Sequence, residues 1–204
     1  MNENKFSWGN IPIKKYYEIF DILEDKDMDD LSKNVSLLSC ITGEEEDIFW
    51  NMNMSEISVY LEKLTFLNKF QLVVPPKKIN ISGWELDVCQ DPTNLSVSQF
   101  FDYQQFIKKP LREAISNILS VFLIPNRHKY NDGYDIRKLQ KDLNENLSYL
   151  TAQSLLSFFL SRSIISMRHT LTYLETKTKS PETEEKIKEL KTKIQEICSF
   201  GSPL

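Results

Sequence analysis

Between Tyr149 and Met167 the chain reads YLTAQSLLSFFLSRSIISM, its most apolar stretch, and how it is taken decides the fold. A membrane span needs ~20 mainly apolar residues, and here Gln153, Arg162 and the serines at 154, 157, 161, 163 and 166 intervene. A helix that is apolar nearly all the way round, outside a bilayer, is one enclosed by other helices. The pattern therefore predicts one long helix from about Ser148 to Lys177, with its first half at the centre of a bundle and no membrane span.

Working outward, the flanking segments read as shorter helices. Ile13, Tyr17, Phe20, Ile22 and Leu23 fall near helical spacing and place a helix over 13–24. A second begins at Asp29 or Asp30, carries Leu31, Val35, Leu38 and Ile41 on one face, and closes at Thr42-Gly43. Thr42 and Glu45 have capping-box spacing for a short third helix. Ser55, with a Met54/Val59 staple, opens a fourth that runs to about Asn68. Ser96 and Gln99 form another capping box, with Leu95 and Phe100 as its staple. Residues 111–124 are helical up to Pro125, and a short helix follows over about 135–142.

One segment departs from helical periodicity. KINISGWELDV alternates, with Ser82-Gly83 as a tight turn and Ile79 and Ile81 facing Leu86 and Val88. An isolated hairpin is marginal in water, so this one must lean on helices or on a partner. At the other end, Ser180-Pro181 starts a final helix in which Ile187, Leu190, Ile194 and Ile197 form a two-heptad seam. That seam packs back on its own domain or docks on another subunit. The expected fold is mainly α: a multi-helix domain over 1–178 with a small β-hairpin near 78–88, and a C-terminal helical tail over 179–204.

The 204 residues are 41 % hydrophobic and 26 % charged, enough apolar material for one ordered domain. Net charge is −4, which gives no overall attraction to nucleic acid or to an anionic membrane. Its distribution is uneven, because residues 1–70 hold 7 basic and 14 acidic side chains and the rest hold 18 and 15. Such a difference is either solvated helix faces or a means of aligning subunits head-to-tail. Cys40, Cys89 and Cys198 are too few and too far apart for a disulfide framework or a thiolate metal site.

Chemistry-bearing motifs are sparse. The two histidines, His128 and His169, lack metal-ligand spacing, and the chain contains no phosphate-binding glycine loop and no nucleophile elbow. The Glu44-Glu45-Glu46-Asp47 run suits the first turn of a helix and needs no catalytic explanation. No catalytic residue, metal or cofactor is expected, and the reading is non-enzymatic. From Lys108 to Lys141 eight basic residues face three acidic ones with Tyr130 and Tyr134 among them. Arg127, Lys129, Arg137 and Lys138 are therefore nucleic-acid candidates, with a solvated loop as the plainer account. Tryptophan is enriched at interface hot spots as well as in cores. Trp84 at the hairpin turn and Trp8 in the N-terminal FSWGN arm are accordingly candidate partner anchors, beside Ile187, Leu190, Ile194 and Ile197.

The succession IPIKKYYEIFDILED (11–25), NVSLLSCITGEEEDIFWNMNMSEISVYLEKLTFLN (34–68), INISGWELDV (79–88), LSVSQFFDYQQF (95–106), LSVFLIP (119–125) and TAQSLLSFFL (151–160) resembles a group of small tailed-bacteriophage proteins. These are encoded in structural modules, including those of crAss-like phages, and are often tail-assembly-chaperone-like. The resemblance lies in segment order and apolar pattern over about residues 11–175, and it supplies no catalytic motif. It implies contacts with other phage structural proteins in tail, neck or head, with self-association as a further option. The location it implies is the virion or the cytoplasm of the infected host. The alternative is a cargo protein packaged with the genome, for which the basic 108–141 region would contact nucleic acid.

Overall fold

A computed structural model describes residues 5–69, 73–89, 95–176 and 181–200. Among them are nine α-helices: α1 (Ile13–Glu24), α2 (Asp30–Thr42), α3 (Glu46–Trp50), α4 (Met54–Lys63), α5 (Val97–Phe106), α6 (Leu111–Phe122), α7 (Ile136–Asn146), α8 (Tyr149–Thr176) and α9 (Pro181–Phe200). A short antiparallel sheet, β1 (Lys78–Ile81), β2 (Trp84–Val88) and β3 (Leu123–Pro125), lies between α4 and α7 in the chain. The protein is mainly α, and no described helix is long and apolar enough to cross a membrane.

Local chemistry explains several helix ends. Asp29 accepts from the Leu31 and Ser32 amides at the start of α2, and Gly43, at φ 73°, closes that helix in the left-handed region. Ser96 and Gln99 make the expected capping box on α5. Two other caps differ from expectation. Thr42 does not open α3, because its hydroxyl donates back to the Leu38 carbonyl at 2.6 Å, within α2. Nor does Ser55 start α4: Asn53 does, in a reciprocal capping box with Glu56. Met54 and Val59 are both exposed and form no staple. The expected cap at Ser180 lies outside the described residues.

The core centres on α6 and the first half of α8. Ile115, Ile118, Leu119 and Phe122 from the one, and Leu155, Leu156 and Phe159 from the other, are buried. α1 and α7 pack around them, α2 packs on α1, and α5 packs on α6. In the hairpin, Ile79 is opposite Leu86 and Ile81 opposite Trp84. Ser82 and Gly83 both take positive φ, as a type I′ turn requires. The third strand was not expected. Residues 123–125 leave α6 as extended chain and pair with Leu86–Val88, since the approach of Pro125 ends the helix and β2 has a free edge.

Helix α8 changes partner along its length. Its last buried residue is Leu160; from Ser161 to Thr176 its residues are exposed or half-buried, and this half pairs with α9. The change in packing falls at Leu160, inside α8. Ile164, Met167, Leu171 and Leu174 step by three, four and three, matching Ile187, Leu190 and Ile194 on α9; all seven are half-buried. Glu175 and Lys191 join the two helices at 2.9 Å.

Gln99 is the buried polar residue that positions α5. Its side-chain amide donates to the Val121 carbonyl at 2.8 Å, one of the carbonyls that the end of α6 leaves without an intrahelical partner. Gln99→Ala is expected to destabilise the fold by ~1–3 kcal/mol, read as a lowered urea midpoint. An unchanged midpoint would mean that α5 is held by its apolar contacts alone.

Candidate protein–protein interface

Trp8, expected on a projecting arm, is instead core. It is only 8 % exposed, and its ring lies 5.3 Å from Phe66, 5.7 Å from Tyr16 and 6.0 Å from Tyr149. The segment is fastened by backbone bonds, Tyr149 N–H to Ile11 O at 2.6 Å and Ile13 N–H to Leu147 O at 3.1 Å. These carry the FSWGN residues over the start of α8, which leaves Trp8 little surface for a partner.

Trp84 is half-buried against its own chain. Its indole N–H donates to Asp142 Oδ2 at 2.7 Å, Tyr134 meets the ring edge-on at 6.2 Å, and the Lys138 ammonium sits 5.9 Å above it. The hairpin thus leans on α7, and Trp84 has the intrachain neighbours that a turn position does not suggest. In α9, which pairs with α8, Ile187, Leu190 and Ile194 are half-buried; the side chain of Ile197 lies outside the described residues.

Arg127, Lys129, Arg137 and Lys138 are exposed. The rings beside them are turned inward, however. The Tyr130 hydroxyl donates to Asp102 Oδ2 at 2.7 Å, and Tyr134 is flanked by Trp84 and His128. Burial first, and then the Asp102 carboxylate, push the Tyr130 phenol well above its ordinary range. A base would have to displace these contacts in order to stack. The thiol of Cys40 is likewise pushed up, to about 11, by burial, which keeps it protonated and poorly nucleophilic near neutral pH. A cleft of about 430 Å3 beside Ile41 and Gly43 is lined by Lys5 and Lys15. There the Lys5 ammonium donates to the Thr42 carbonyl at the end of α2, a helix-capping contact. Among the described residues no group of three or more His, Cys, Asp or Glu side chains is arranged to hold a metal.

Two apolar faces remain open. On α5, Val97, Phe100 and Phe101 are 88 %, 54 % and 61 % exposed. Their i, i+3, i+4 spacing puts them on one face, while Gln99 and Tyr103 hold the opposite face against α6. Lys108 and Lys109 follow it in the chain; Arg112, beyond them, is paired with Asp21 of α1. On α3 and α4, Ile48, Trp50, Met54 and Val59 are exposed, with Met54 at 72 %. Residues 44–62 around them hold six acidic side chains and no Lys or Arg. Sequence reading missed both faces; their signal is an aromatic pair, Phe100-Phe101, and a tryptophan beside an acidic run.

No family model matches this chain, and neither a curated protein nor a solved structure matches it.

Proposed function

We propose that this chain is a binding protein, not an enzyme, that works through protein–protein contacts in the assembly or structure of a tailed-phage particle. Its partners would be other virion proteins of the tail, neck or head. The observation that carries the reading is the open α5 face. Three large apolar side chains are held outward by a helix whose other side is anchored by Gln99 and Tyr103, and aromatic side chains gathered on a rigid element are the usual anchors of an interface. The phage setting comes from the segment order described above.

Quantitative mass spectrometry of purified particles, comparing this chain with the portal and major capsid proteins, tests the reading. A fixed copy number is expected, falling at least tenfold when Phe101→Asp replaces the wild type. Undiminished incorporation of the variant would remove the α5 face from the account. A variable copy number would favour packaged cargo, and abundance in infected cells without incorporation would mean a chaperone of assembly.

A further inference from the structure

We propose that the occupant of the α5 face is a second copy of this chain, which meets it with the Trp50/Met54 face of α3 and α4. The proposal rests on the reading of α5 as a protein-docking face and adds what docks there. Two features of the molecule support it. The faces are complementary: the α5 ridge is followed by Lys108 and Lys109, whereas residues 44–62 carry six acids and no bases. Apolar anchors would meet apolar anchors, and the charges around them would attract across the contact and repel in the α5-to-α5 alternative.

The second feature is their placement. In packing order α3 and α4 lie on α2, α2 on α1, α1 on α6, and α6 on α5, so three helices stand between the elements that carry the two faces. A contact between two different patches is heterologous: it does not close on itself as a two-fold dimer, and it propagates into a ring or a filament. The acidic first third and the more basic remainder of the chain would then orient every subunit in the same sense.

Sedimentation velocity on the purified full-length chain, over a range of concentration and salt, reads this directly. The wild type is expected to pass beyond the dimer as concentration rises, with assembly weakened by salt as screening shortens the reach of the charges. Phe101→Asp or Met54→Lys alone should weaken association at least about thirtyfold, the loss that defines a hot spot, with the thermal midpoint unchanged because both positions are exposed. Should Phe101→Asp fail to fold, Phe100→Ser serves in its place. Mixed together, the two blocked variants should form a discrete one-to-one pair, since each retains the face that the other has lost.

A wild type that stays monomeric to about 1 mM, or a dimer broken by Phe101→Asp and untouched by Met54→Lys, overturns the proposal. If the chain is monomeric but Phe101→Asp still abolishes incorporation into particles, self-docking fails and the docking role of α5 stands. If incorporation is also unaffected, both fall.

Discussion

Trp8→Ala is expected to cost ~3–5 kcal/mol of folding stability and to lower the thermal midpoint by roughly 10 °C, at about 2–4 °C per kcal/mol for a chain of this length. The ring is buried among Phe66, Tyr16 and Tyr149, and Tyr16 and Tyr149 are themselves stacked, 3.4 Å between centroids and 4° from parallel. Removing the indole opens a cavity bordered by α1, the turn after α4 and the start of α8, and the backbone bonds at Ile11 and Leu147 tie the entry to α1 to the start of α8 across it. Trp8→Phe, which keeps an aromatic ring at the site, should cost less than half as much. Circular dichroism during heating and in urea gives both values. A loss below about 1 kcal/mol for the alanine variant would mean that the N-terminal segment is not part of the core.

The contrast between Trp8 and the long helix shows what was legible in the sequence. Periodicity and local caps are short-range signals, so α1, α2, α8, the hairpin and its Ser82-Gly83 turn could be read directly. What fixes Trp8 is long-range: Ile11 bonds to Tyr149, 138 positions along the chain, and no local pattern announces that. The third strand was hidden for the same reason, since Leu123–Pro125 looks like the end of α6 until β2 offers it a partner. Competing local donors misled the caps, with Asn53 two residues ahead of Ser55 and Thr42 bonding backward within α2.

The α5 face was illegible because that helix inverts the usual rule. Its i, i+3, i+4 apolar trio faces out while a glutamine faces in, since the end of α6 needs a hydrogen-bond donor there. A sequence pattern says that two faces differ; which of them is buried depends on what the neighbouring element lacks.

Phe122→Ala should be at least as damaging as the loss of Trp8, at ~3–5 kcal/mol, because one side chain joins three elements. Phe122 ends α6, stacks on Phe159 of α8 at 4.2 Å and 17°, and receives Tyr103 of α5 edge-on at 5.5 Å. Its carbonyl accepts from the Cys89 amide at 2.9 Å, just beyond β2, so the helix-to-strand switch occurs at this residue. The ring is fully buried. Phe122→Leu, closer in volume, should lose less than half as much. Native domains hold only ~5–15 kcal/mol in reserve, so the alanine variant should lose a large share of it. Hydrogen exchange would locate the damage, with α5, the sheet and the first half of α8 losing protection together while α9 and the second half of α8 change little. Protection lost from α5 alone would mean that Phe122 is a local support for Tyr103 and not the joint between the layers.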